Sequence, residues 1–345
     1  MSAASTAVVA IVWILIAGIL QGAFALPMSY ARQWKWENTW LGYSVLAFLV
    51  LPLTMTLATP AHLLDALRSA PPAATLRVGL FGFGWGMGSV FFGLGIEHAG
   101  MALGMSIMTG LLDALGALIP MAILSPRLLG EPRGKLIVLA TGVTIAGVAV
   151  CGYAGHLRDR AVSDPGVTTR PKKPLAKALA ICVLAGILSP MFNFGYAFSG
   201  PITQAARQAG ATQDAALNVV WVVLLGCGLI PNAGYCVFLL QRNESWRLYR
   251  VRGAVGHWVL ALMMAVMWLG GTLIYGVAGD RLGELGPSLG WAAWNAVMIV
   301  VAMGCGFLVG EWKHAGRRAV YVLWLGVAVL ILSVALLGFA GAGAT

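Results

Sequence analysis

One sixteen-residue pattern appears twice in this chain, 183 positions apart, and any fold must accommodate the symmetry it implies. The first copy runs from Trp85 to Gly100 (WGMGSVFFGLGIEHAG) and the second from Trp268 to Gly283 (WLGGTLIYGVAGDRLG). Without gaps they share W-x-x-G-[ST]-x-x-[FY]-G-x-x-x-[ED]-[HR]-x-G. A long apolar run and a Gly-Glu pair follow each copy, Gly130-Glu131 and Gly310-Glu311. Upstream, Ala17-Gly-Ile-Leu20 is echoed by Ala185-Gly-Ile-Leu188. Two related apolar halves are the build of secondary transporters, whose substrate binds near the bilayer midplane where the repeats meet.

Composition decides where such a duplicated chain resides. Hydrophobic residues make up 59% and charged residues 10%, against roughly 45–50% and about 25% in soluble domains. So little polar surface cannot cover 345 residues in water. Apolar stretches near the about 20 residues needed to cross a bilayer recur along the whole length. No basic residue precedes the first, near Ala7 to Leu26, which argues against a cleaved secretory leader. The formal charge is +10, yet Lys and Arg lie in short segments between apolar runs. They form no basic aromatic module, so no nucleic-acid partner is expected and they read as topology signals. Cys151, Cys182, Cys227, Cys236 and Cys305 are scattered without C-x-x-C spacing. Neither a disulfide framework nor a metal site is expected.

Apolar runs between charged or Pro-rich breaks predict ten helices, near 7–27, 40–59, 76–96, 100–124, 136–154, 176–198, 215–240, 255–278, 286–309 and 319–340. The longest polar connection, His156 to Pro174, contains Arg158, Arg160, Arg170, Lys172 and Lys173. It divides a first five-helix half (1–155) from a second (175–345), with 156–174 as a basic linker. Five is odd, so homologous halves must cross with opposite orientation. The expected fold is an all-α integral membrane protein of ten transmembrane helices in two inverted five-helix repeats. Lys and Arg number 15 in the odd-to-even connections and 7 on the opposite side, with Arg127, Arg133 and Lys135 of the 4–5 connection pulling the other way. The positive-inside rule then places the linker in the cytoplasm and both termini on the periplasmic side. Glycines cluster in the third span (Gly79, Gly82, Gly84, Gly86, Gly88) and the eighth (Gly270, Gly271, Gly276). Small residues of this kind let helix backbones approach closely in lipid.

Several motifs are similar to those of the bacterial L-rhamnose–proton symporter family. They are Trp34-Lys-Trp-Glu37-Asn-Thr-Trp40, Gly84-Trp-Gly-Met-Gly88 with Phe92-Gly93, Gly100-Met-Ala-Leu-Gly104-Met, Met267-Trp268, Tyr275-Gly276 and Gly310-Glu311-Trp-Lys-His-Ala-Gly316-Arg-Arg318. The likeness runs along essentially the whole chain. It departs at Gly286–Asn295 and Pro190–Tyr196, where a central sugar site would be built. The resemblance implies a member of the drug/metabolite transporter superfamily, a multi-pass protein of the bacterial inner membrane. Its implied work is proton-coupled import of L-rhamnose or a related monosaccharide by alternating access. Sugar, proton and lipid bilayer are then the partners; no obligate protein partner and no cofactor beyond the coupling proton are expected.

A proton symporter needs a group whose protonation follows substrate occupancy. Asp113 is the acid set well inside an apolar span, where insertion costs at least about 2.5 kcal/mol, and it is the expected proton-coupling residue. A deoxy sugar needs hydrogen-bonding groups for its hydroxyls and flat apolar walls for its C–H face and methyl group. Gln21, Asn193 and Asn295 can supply the first, and Trp85, Trp268, Tyr275, Trp291 and Trp294 the second. Residues 291, 294 and 295 share one helix face. Glu37, in the 1–2 connection between Trp36 and Trp40, is expected to anchor or gate at the membrane interface. Glu131 and Glu311, equivalent in the repeat, are expected to pair with Arg133 or Lys313 at the cytoplasmic rim. Glu97 and Asp280, also equivalent and each followed by a base, are expected just beyond their spans as caps. His257 opens the eighth span, either as a boundary residue or as a proton carrier.

Other functions remain open at this level. One is a drug/metabolite superfamily exporter of another small solute. An intramembrane enzyme would need HExxH, a Ser–His pair or facing aspartates, and none is present, so no enzymatic activity is expected. A membrane sensor would need a soluble output domain, for which no connection is long enough.

Overall fold

A computed structural model describes residues 3–58, 63–99, 101–162 and 175–342. Among them ten helices are long and apolar enough to cross a membrane. These are α1 (Val8–Tyr30), α2 (Trp36–Leu57), α3 (Pro72–Ala99), α4 (Gly104–Leu124), α5 (Pro132–Ala161), α6 (Ala176–Gln208), α7 (Gln213–Arg242), α8 (Ala254–Arg281), α9 (Gly283–Leu308) and α10 (Arg317–Gly341). Every expected span has its helix, and most run past the apolar stretch because their polar ends continue in helical form. The clearest case is α5, whose helix reaches Val162. His156 to Arg160, assigned to the linker, are therefore its last turns. Arg158 is held there by Glu311 and by the ring of Trp312. Residues 163–174, the rest of the expected linker, and Gly100 lie outside the described residues.

Large apolar side chains such as Leu57, Leu80, Ile230, Val255, Tyr321 and Phe339 stand outward. In water they would form an aggregating surface; hydrocarbon is the solvent that suits them. Glycine, alanine and aromatic side chains share the interior with buried aliphatic ones such as Ile14, Leu224 and Leu225.

The helix contacts pair off across the two halves. α1 packs on α8 and α9, and α6, its counterpart, packs on α3 and α4. α2 packs on α8, and α7 on α3, while α2 meets α7 and α5 meets α10. The signature glycines explain why these approaches are close. A Cβ at Gly88 would stand 2.7 Å from the backbone nitrogen of Ser189 on α6. At the equivalent Gly271 it would stand 2.9 Å from the carbonyl oxygen of Ala17 on α1. The echoed Ala-Gly-Ile-Leu segments are thus the surfaces on which the two signatures rest.

Gly88→Ala and Gly271→Ala are expected to destabilise the protein by about 1–3 kcal/mol through overpacking. Gly93→Ala, where the added Cβ meets nothing within 4 Å, should be neutral or slightly stabilising because alanine favours helix. Thermal unfolding of detergent-purified protein checks all three.

Candidate functional site

Three irregular stretches of backbone meet at the middle of the bundle. In α2 a π-helical turn spans Leu46–Val50. α9 opens with a 3₁₀ turn, Gly283–Leu285, and a π-helical turn, Gly286–Gly290, and becomes regular at Trp291. α6 is divided into Leu175–Leu188, Met191–Ala197 and Gly200–Gln208. Pro190, which has no N–H to donate, occupies the first of its breaks. Irregular backbone at membrane depth is tolerated only where protein covers it, and π turns gather at functional sites.

Asn193, on the middle segment of α6, ties that segment to the α9 π turn, to α4 and to α8. Its Nδ2 donates to the carbonyl of Gly116 on α4 (2.8 Å) and to that of Pro287 in the α9 π turn (2.7 Å). Its Oδ1 accepts from the hydroxyl of Tyr275 on α8 (2.6 Å). Trp291 Nε1 donates to the Leu112 carbonyl at 3.3 Å. At Gly116 a Cβ would overlap the Trp291 indole, so that position admits only glycine without a shift.

Aromatic rings line the space around this knot. The two signature tryptophans, Trp85 and Trp268, stack with centroids 5.7 Å apart and planes 25° apart. Phe48, from the α2 π turn, touches both, at 5.1 and 4.9 Å. Tyr275 stacks on Trp294 at 4.4 Å and 11°, and Trp291 meets Trp294 edge-on at 5.5 Å. Gln21 adds a brace: its Oε1 accepts from Trp268 Nε1 at 2.6 Å and its Nε2 donates to the Trp268 carbonyl at 3.2 Å. Its amide is thus committed to the indole. Asn295 donates to the Trp291 carbonyl on its own helix at 2.9 Å. Five expected wall residues and Asn193 therefore converge, Gln21 positions one of them, and Asn295 caps a turn of α9.

Asp113 is buried, and neither carboxylate oxygen has a hydrogen-bond partner among the described residues. It lies between Leu112 and Gly116, the residues whose carbonyls Trp291 and Asn193 grip. On one side of the box, a cavity between α4, α5 and α9 reaches from Thr109, one turn before Asp113, to Arg158 and Glu311. On the other side, a polar cleft containing Ser199, Thr203, Asp280 and Glu284 ends at Tyr196 and Pro287.

The rim residues differ from their expected places. Glu37 stands in the first turn of α2, not in a connection, and is buried. Its Oε1 accepts from Asn243 Nδ2 (2.9 Å) and Ser245 Oγ (2.7 Å) in the 7–8 connection. The rest of that tryptophan motif docks alongside. Trp34 Nε1 donates to the Leu248 carbonyl (2.9 Å) and Asn38 Nδ2 to that of Ser245 (2.9 Å), while His257 stacks on Trp34. Glu311 pairs with Arg158 of α5 (3.1 Å), because the guanidinium is also seated over Trp312. Glu131 pairs with Arg133 (2.6 Å), but an odd number of crossings separates it from Glu311, so the two do not share one rim. Glu97 and Asp280 fall in the last turns of α3 and α8. Asp280 accepts from Gln213 Nε2 at 2.6 Å.

Phe48, Trp221 and Thr272 were not among the expected site residues, and Phe192 and Tyr196 were marked only as members of the Pro190–Tyr196 segment. Pro190 in mid-span marks a break and so flags its neighbours.

A model of the L-rhamnose-proton symport protein family (RhaT) matches residues 1–343. Among curated proteins, the chain is 28% identical over 336 residues to an L-rhamnose-proton symporter of Cronobacter sakazakii, covering 95% of this chain and 96% of that one. It is 27% identical over 339 residues to an L-rhamnose-proton symporter of Yersinia pestis, covering 96% and 97%.

Asn193→Leu is expected to cost about 1–3 kcal/mol or more, since it strands the Tyr275 hydroxyl and two carbonyls. Adding Tyr275→Phe to that variant should cost less than Tyr275→Phe does in the native chain. A double-mutant cycle in thermal unfolding reads this coupling.

Proposed function

Because this chain belongs to the L-rhamnose-proton symport protein family, we propose that it imports L-rhamnose or a related monosaccharide together with protons by alternating access. The observation that carries the coupling is the place of Asp113. Its buried carboxylate lies on the same turn of α4 whose carbonyls hold Trp291 and Asn193. Proton and sugar therefore act on one piece of backbone.

The aromatic rings receive the sugar. Trp85, Trp268, Tyr275, Trp291 and Trp294 offer flat apolar area to a C–H face and methyl group. Gln21 and Asn193 act through the rings they hold, and Asn295 fixes the turn that carries Trp291 and Trp294. Protonation of Asp113 removes a charge from the interior. Release of the proton leaves a carboxylate that needs a partner, which the present packing does not give it. Finding one requires α4 to move, and with it the gripped indole and amide. Sugar and proton then favour the same outward-facing conformation, as coupling demands, since equal affinity for two states shifts nothing.

Halves 1–155 and 175–345 rock about the central box. The side that holds the 1–2, 5–6, 7–8 and 9–10 connections faces the cytoplasm, and the termini face the periplasm of the bacterial inner membrane. The Glu37 contacts and the Arg158–Glu311 pair are then the cytoplasmic closures. The coupling ion is the proton, and such a symporter needs no cofactor.

In a weakly buffered suspension of de-energised cells expressing the protein, L-rhamnose should make the external medium more alkaline. Asp113→Asn should abolish that signal while sparing exchange of sugar across the membrane. Alkalinisation that survives the substitution moves the proton site elsewhere, and no response to the sugar removes L-rhamnose as substrate. For topology, an Arg127→Cys thiol should react with an impermeant reagent from outside, and an Arg247→Cys thiol only after the membrane is breached.

A further inference from the structure

Phe192 touches all five indoles of the box. Its ring centroid lies 5.3 Å from Trp85, 5.6 Å from Trp221, 6.0 Å from Trp268, 6.2 Å from Trp291 and 6.0 Å from Trp294. It stacks on Trp221 and Trp291 with planes 15° and 29° apart, and stands edge-on to Trp268 at 75°. A phenyl ring is about as broad as a pyranose, and here it fills the middle of the flat walls. It also sits on the short helix Met191–Ala197, bounded by the Ser189–Pro190 break on one side and Phe198–Ser199 on the other.

Three buried polar groups near this ring have no hydrogen-bond partner among the described residues: Trp221 Nε1, Trp294 Nε1 and Thr272 Oγ1. Relative exposures of 1%, 4% and 0% set all three away from bulk solvent. Trp221 and Trp294 both touch Phe192, and Thr272 lies on α8 between Trp268 and Tyr275, about one turn from each. Stranded buried donors are rare and costly. Packing alone would be served better by phenylalanine at 221 and valine at 272. An apolar chamber with a few convergent donors is the form of a small-molecule site.

We propose that Phe192 is a wedge standing where the sugar ring binds, and that its side chain swings aside when sugar enters while Asn193 keeps the segment in place. Trp221 Nε1, Trp294 Nε1 and Thr272 Oγ1 then donate to the sugar's hydroxyls, while the displaced phenyl closes over its methyl group. This rests on the monosaccharide reading above, and it assigns Trp221, Thr272 and Phe192 roles in recognition. The wedge makes the site selective, because a phenyl ring rewards a methyl group and penalises a hydroxymethyl group in the same place.

Calorimetric binding of L-rhamnose and of L-mannose, which has a hydroxymethyl group in place of the methyl, tests this on the full-length purified protein. Native protein should prefer L-rhamnose by about tenfold or more. Trp221→Phe keeps the stacked ring and removes only the N–H, and should weaken L-rhamnose about three- to tenfold. Phe192→Ala should bring the two sugars to within about threefold of each other. Phe192→Leu, a milder change in packing, should do so in part, with monodispersity on gel filtration confirming that each variant is folded. Equal affinity of the native protein for both sugars, or folded variants that bind as the native protein does, would overturn the wedge. Native protein that binds neither sugar removes both as substrates, and the wedge, which is argued for a methyl-bearing ring, falls with them.

Discussion

The amide of Asn193 is the contact on which the centre of this protein depends. Inside a bilayer no water is at hand to satisfy a carbonyl that a broken helix releases. In the π turn of α9 the Pro287 carbonyl accepts from Asn193 Nδ2, which also donates to that of Gly116. With Tyr275 donating to its other end, one side chain joins α4, α6, α8 and α9. The irregular backbone that a binding site requires is therefore held by a side chain that is itself fully bonded. Gly116 completes the arrangement by leaving room for the Trp291 indole.

The two ends of the bundle are closed by different means. On the side of the 1–2 and 7–8 connections, the buried Glu37 accepts from Asn243 and Ser245, and Trp34 and Asn38 add further bonds. On the opposite side the cross-links include the ion pairs Arg127–Glu284 and Arg281–Asp214, with side-chain exposures of 80% and 58% in the first and 31% and 54% in the second, and the Gln213–Asp280 hydrogen bond. Exposed pairs contribute about 0–1 kcal/mol each, whereas buried, fully bonded polar groups are costly to separate. The conformation described is thus held shut more firmly at the first side. The polar cleft that stops at Tyr196 lies on the weaker one.

The number of spans and their order were legible because bilayer thickness imposes a length that apolar runs must meet. Which face of each helix turns inward was not. In lipid both faces are apolar, so periodicity carries little information about packing. Trp221, set in Val-Val-Trp-Val-Val, reads like any buried span residue. Glu37 was displaced because the tryptophans around it suggested an interface, whereas the motif folds onto a connection 206 positions away. Arg158 and Glu311 meet across 153 positions, and no local pattern announces such a pair. Convergence of Trp85, Trp268, Tyr275, Trp291 and Trp294 was legible in composition but depends on two π turns and a broken helix. Of these, only the prolines gave notice.

Helix contacts in one half of this molecule have counterparts in the other, but the lining of the site has none. Gln21 clasps the indole of Trp268, whereas its counterpart in the second half is Ser189, too short to do the same for Trp85. A chamber with two matching walls would accept a guest equally well in either of two poses related by its own axis. A chiral sugar would then present its hydroxyls correctly in one pose and wrongly in the other. One clasped wall and one free wall remove that degeneracy, so handedness can be read within a near-symmetric scaffold.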